Sequence, residues 1–157
     1  MADQGQGATD DAVMTSIGQA TMLLHGGDRE EARNRFQDLW VRLGTDGDPL
    51  HRCTLAHYMA DAQDDPDAEL AWDLRALTAA EGIDGEPAPR RTAAALRSLY
   101  PSLHVNLAAD YLRLRRPDDA RVHLDRARAA SHVLADDRYG EGVRAAMDRL
   151  DHRLRDC

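Results

Sequence analysis

In HRCTLAH, residues 51–57, a cysteine stands four residues before a histidine, and a second histidine opens the stretch. On a helix, Cys53 and His57 share a face and His51 points elsewhere. An imidazole beside a thiol can draw it toward thiolate, and a thiolate is a nucleophile, a redox centre and a metal ligand. Each of those chemistries needs further groups. The seven histidines, His25, His51, His57, His104, His123, His132 and His152, include no pair four residues apart, so none forms a helical zinc pair of the HExxH kind. Glu-x-x-His, His-Asp, CxxC and a glycine-rich phosphate loop are missing too. The 20 basic residues are all arginine, which removes Schiff-base lysines and the phosphate-loop lysine. The expectation is a protein that is not an enzyme, with no catalytic residue, metal or cofactor. A thiol-based redox or enzymatic site at Cys53–His57 is the alternative.

Composition sets the elements that must position these residues. Aromatics make up 4% of the 157 residues and hydrophobics 43%, so a core must be built from Leu, Ala, Val and Met. That mixture suits close-packed helices better than sheets. Acidic residues outnumber basic ones by 28 to 20, for a net charge of -8. Such a surface argues against a general phosphate-backbone binder, and no direct nucleic-acid contact is expected. The arginine cluster RLRRPDDAR (113–121) is interleaved with Asp118 and Asp119 and reads as a solvated, ion-paired helix face. Arginine without lysine, with abundant Ala, Asp and Gly, fits a GC-rich, bacterial genome. Two distant cysteines, Cys53 and Cys157, make no disulfide framework. No apolar run is long enough to span a membrane. The acidic start, residues 1–9, reads as a disordered lead-in rather than a signal peptide. A cytoplasmic protein is expected, with residues 10–157 as one domain.

Three segments repeat: GGDREEARNRFQDLW (26–40), DDPDAELAWDLRAL (64–77) and RRPDDARVHLDRARAA (115–130). Each opens on a turn and then sets an alanine four residues before a large apolar side chain: Ala32 and Phe36, Ala68 and Trp72, Ala120 and Leu124. Twelve residues before each alanine stands another, Ala20, Ala56 and Ala108, with Leu23, Met59 or Tyr111 three residues on. Every unit therefore reads as helix, tight turn, helix, with small residues where the two cross. Asp28 is expected to cap the second helix of the first unit with its carboxylate, and Pro66 and Pro117 to start theirs. Cys53 aligns with Ile17 and Val105, and His57 with Thr21 and Ala109, so the chemistry of HRCTLAH is not repeated.

This alanine–turn–alanine–aromatic spacing resembles the tetratricopeptide repeat, in a degenerate form lacking most of the family's Trp, Leu-Gly and Pro signatures. The resemblance covers roughly 12–44, 49–82 and 100–134. It implies an all-α fold of three antiparallel helix-turn-helix pairs stacked as a short right-handed α-solenoid. In that family the first helix of each pair lines a concave surface. Carried over, the lining is Ile17, Thr21, Cys53, His57, Val105 and Ala109, with the polar handles His25, Asp61 and Arg113 beside it. The groove so implied is mostly apolar and suits a protein or peptide partner, as a scaffold or regulatory adaptor.

Ala32 to Ala68 is 36 residues, but Ala68 to Ala120 is 52. The excess falls on 83–99, read as an insertion with a linker (83–91) and a short helix (92–100), or as a lid over the groove. Beyond the repeats, Val143, Met147, Leu150 and Leu154 make one apolar stripe on a helix over 138–155. That helix is expected to cap the array. The alternative is a homo-oligomerising module, a homodimer through the C-terminal helix.

Overall fold

Among the described residues, seven α-helices and one short 3-10 turn follow one another: α1 (Ala2–His25), α2 (Arg29–Leu43), α3 (Pro49–Asp61), α4 (Pro66–Glu81), α5 (Arg90–Arg113), α6 (Pro117–Ala129), the turn Ser131–Val133, and α7 (Arg138–Arg155). The structure, a computed structural model, describes residues 2–82 and 90–157, with side chains from residue 12 onward. There is no strand among the described residues. Residues 2–9, expected as a disordered lead-in, are drawn as the start of α1, with no proline ahead of Val13 to break the helix; Met1 lies outside the described residues.

The turns use three kinds of chemistry. After α1, Gly26 N–H donates to Met22 O at 2.9 Å, Gly27 N–H to Leu24 O at 3.2 Å, and Asp28 N–H to Leu23 O at 2.9 Å. Gly27 supplies the left-handed residue, with φ 92°. The turn after α5 repeats the same three bonds from Leu114, Arg115 and Arg116, and there Arg115 takes the left-handed position at φ 61°. Pro66 and Pro117 begin α4 and α6 as expected. Asp28 does not cap α2: with φ -89° and ψ 64° it is outside the extended geometry that aims a side chain at the first turn, and its carboxylate makes no cap bond. The carboxylate caps are Asp48, which accepts from Leu50 N–H at 2.8 Å and His51 N–H at 3.3 Å, and Asp137, which accepts from Gly140 N–H at 2.7 Å.

Packing follows chain order. α1 lies on α2 and α3, α3 on α4 and α5, and α5 on α4, α6 and α7. Of the six repeat alanines, Ala20, Ala32, Ala56, Ala108 and Ala120 are fully buried, while Ala68 is half-buried. Around the first pair, Phe36, Ile17, Leu55 and Met59 pack together, with the Phe36 and Tyr58 rings stacked at 6.3 Å. Around the second, Trp40 meets Trp72 edge-on at 5.1 Å beside Cys53, Leu77, Leu96, Leu103 and Leu107. The third cluster joins Val105, Ala108 and Leu124 to Val143, Met147, Leu150 and Leu154.

Two expectations change here. The short helix expected within 83–99 is the beginning of α5, which runs unbroken through Pro101 to Arg113. Leu96 is buried against α4 and the Tyr100 hydroxyl donates to Ala80 O at 3.2 Å, so this segment extends the core rather than covering a groove. Residues 83–89 lie outside the described residues. The α7 stripe is spent inside the molecule, with Val143, Met147, Leu150 and Leu154 each 4–8% exposed. It leaves no apolar face for the homodimer that was its alternative use.

Candidate functional site

The positions expected to line the groove divide by depth. Ile17, Cys53 and Val105 are buried in the three core clusters. Thr21, His57 and Ala109 are half-buried, and His25, Asp61 and Arg113 are exposed. Among these nine positions the exposed side chains are polar, while Ile17, Cys53 and Val105 pack against neighbouring helices. Two surface depressions lie elsewhere, one beside Asp28–Arg35 and one between α6 and α7.

The Cys53–His57 pair does not form a thiol site. Cys53 is fully buried, and that burial pushes its thiol up to about 12. A thiol so placed stays protonated and acts as a small apolar side chain. His57 turns to α5, where the Asn106 side-chain amide donates to His57 Nδ1 at 3.0 Å. That bond assigns the ring proton to Nε2 and ties α3 to α5. His51 is buried beneath the Asp48 cap.

Asp61 leads to residues that the spacing analysis missed. Glu69 and Asp73 are four apart on α4 and so lie on one face. Asp110 projects from α5 against them. One carboxylate oxygen from each of the three lies within 4.8 Å of one from each of the others. Glu69 is held at the surface edge by Arg113, Nη1 to Oε2 at 2.5 Å. Asp73 and Asp110 are 3% and 2% exposed. Burial raises both carboxyls well above the carboxylate range; at Asp73 the hydrogen bond with Asp110 and the charges of Asp110, Asp61 and Glu69 add to the effect, and at Asp110 the hydrogen bond and charge of Glu69 add to it while the hydrogen bond with Asp73 and the Arg113 charge oppose it. As a closely coupled pair they hold at least one proton between them at neutral pH. Asp61 is raised too, first by loss of solvent on its inner side and then by Glu69, while His57, His25 and Arg29 pull the other way.

A signal for these residues does exist. Leu70, Asp73, Ala76, Leu77 and Ala80 form the buried stripe of α4, and Leu103, Leu107 and Asp110 belong to that of α5. A carboxylate in the middle of an apolar stripe is the exception that calls for a partner.

A second buried polar pair joins α5 to α6. His104 Nδ1 and His123 Nδ1 are 3.0 Å apart, the rings stack at 5.3 Å, and Tyr111 stacks on His123 at 5.4 Å. One ring must carry its proton on Nδ1 and the other on Nε2. Burial lowers His104 to about 4, helped by His123 and Arg126, and it lowers His123 as well, with Arg126 adding and Asp119 opposing.

These features define an all-helical protein with two buried polar seams, and no helix among the described residues is long and apolar enough to cross a membrane. Comparison with protein-family models, with curated proteins and with solved structures finds no match.

Proposed function

We propose that this chain is a non-catalytic scaffold of tetratricopeptide-like kind, a short right-handed α-solenoid of three helix pairs with α7 as its cap. In this reading it is an adaptor that holds an extended segment of a partner protein along the face of α1, α3 and α5. The observation that carries the reading is the row His25, Asp61 and Arg113: three exposed polar side chains at equivalent positions of α1, α3 and α5. Side-by-side contact of α1 with α3, and of α3 with α5, supports a continuous layer. Such a row offers an extended peptide hydrogen bonds and charge instead of apolar burial. Asp61 makes no ion pair among the described residues and is the natural seat for a basic side chain of the partner. A cytoplasmic setting fits two free cysteines, one of them exposed.

The test uses Asp61→Arg and His25→Glu, both at exposed positions, with Val122→Glu on the outer surface of α6 as control. All three are expected to keep the helical circular-dichroism signal. A partner captured by the wild type and the control, and lost by both face variants, supports the reading. Equal recovery by all four proteins removes it. Val105→Arg is unsuitable, because Val105 is 8% exposed and its loss would damage the core.

A further inference from the structure

Glu69, Asp73 and Asp110 present three carboxylates to one point between α4 and α5. Two of the six oxygens, Asp73 Oδ1 and Asp110 Oδ2, are sealed from solvent, and no N–H or hydroxyl group donates to either; all that pairs them is a proton shared within the cluster. Buried carboxylate oxygens nearly always take an outside donor, so two without one are an observation separate from the acidity of the cluster. Arg113 does not satisfy them; its guanidinium bonds Glu69 Oε2 at the outer edge. We infer that Glu69, Asp73 and Asp110 form a binding site for one hard divalent cation.

The donor set selects the class of ion. Only carboxylate oxygens converge, with no imidazole or thiolate among them, which favours calcium, manganese or magnesium over zinc or copper. Spacing narrows it further. Two ligands of one ion can stand no farther apart than twice the bond length, about 4.8 Å for calcium and about 4.2 Å for magnesium. The three oxygens fall within 4.8 Å of one another, a limit that calcium spans and that leaves the smaller ions open as well. Two ligands come from one face of α4 and one from α5, which α3 and the hydrophobic contacts around Leu77 and Leu107 hold together. Glu69 is half-buried and Asp61 is exposed beside it, giving the ion a polar approach from solvent. Arg113 on α5, Arg29 on α2, and His25 and His57 are the cationic or protonatable groups nearby, and they set a ceiling on affinity.

The measurement is a manganese titration of the full-length, chelator-treated protein, following the free-ion electron paramagnetic resonance signal. One equivalent of Mn2+ is expected to be withdrawn at concentrations below about 1 mM, and excess Ca2+ is expected to release it. Asp73→Asn with Asp110→Asn keeps the shape of the protonated side chains and is expected to fold, as checked by circular dichroism, while binding at least ten-fold more weakly. Glu69→Gln, at the half-buried edge, is the second variant and carries the same expectation. If the wild type withdraws no Mn2+ up to that concentration, shared protons alone occupy the cluster and the site does not exist. Undiminished binding in the folded variants would assign the ion to exposed carboxylates and likewise overturn the inference.

Discussion

Protonation of the accepting ring of the His104–His123 pair would aim two N–H donors at each other across 3.0 Å in a buried seam, and protonation of the donating ring would bury a charge there. Both groups have a folded value below the unfolded value of about 6.5, so their contribution to stability is complete above that pH and is lost as pH falls toward about 4. The charged groups facing the pair are Arg126 and Asp119 of α6, and the Tyr111 ring covers it from α5. Urea unfolding at pH 7 and pH 4 is expected to differ by about 2–3 kcal/mol through His104 alone. His104→Leu should flatten that slope; an unchanged slope would move the acid sensitivity elsewhere. The same scale settles the two thiols. Native protein is expected to take one carbamidomethyl group, on exposed Cys157, and a second only after denaturation, because Cys53 lies fully buried with its thiol raised to about 12. Intact mass after brief iodoacetamide treatment reads this directly, and rapid double labelling would reopen the thiol chemistry. Cys53 was legible from sequence because Ile17 and Val105 stand at the same point of the other units. Asp73 and Asp110 were passed over because motif spacing searches along one helix, and their partners come from two.

Helix ends show why a chain with arginine and no lysine packs as it does. Arg29 and Arg33 of α2 reach the end of α3, donating to the carbonyls of Asp61, Ala62 and Gln63 at 3.0–3.2 Å and pairing with Asp64. Arg121 does the same for Leu154, and Arg144 for Leu134. A planar fork can serve two carbonyls or a carbonyl and a carboxylate at once, where an ammonium offers a single point charge. Composition announced the arginines but not these partners, since each bond joins elements far apart in sequence. Backbone geometry at two turns is testable. Arg115 sits at φ 61° where the first unit has glycine, so Arg115→Gly is expected to stabilise by about 0.5–1 kcal/mol in a denaturant midpoint. Gly140 opens α7 with no room for a side chain: a Cβ there would stand 2.1 Å from Ala135 O. Gly140→Ala is expected to cost about 2–3 kcal/mol and to loosen α7 from α5 and α6. Wild-type stability in that variant would mean that the α7 turn shifts freely.

Across the whole molecule, pair periodicity located six of the helices because small residues recur where helices cross, and α7 because its stripe keeps one face. It failed over 90–99. There the short helix expected over 92–100 is the start of α5, which carries Pro101 as a buried interior residue. The ring removes one backbone hydrogen bond and normally interrupts a helix. Contacts on both sides, Leu96 with the α4 cluster and Leu103 and Leu107 with the α3–α4 core, hold the helix through it. The depth of the nine aligned positions was not legible for a related reason: alignment identifies equivalent positions, and depth depends on how closely the next helices approach. α5 is consequently the hub of the packing, touching α3, α4, α6 and α7, whereas among the described residues α1 packs mainly on α2 and α3. In an array where each element relies on its neighbours, local opening begins at the element with fewest of them. Hydrogen exchange under mildly denaturing conditions is therefore expected to protect Leu103–Asp110 up to the free energy of global unfolding, while the α1 amides of Val13–Leu24 exchange through smaller openings. Equal protection of the two segments would show that the chain unfolds as one unit and that α5 has no special place in it.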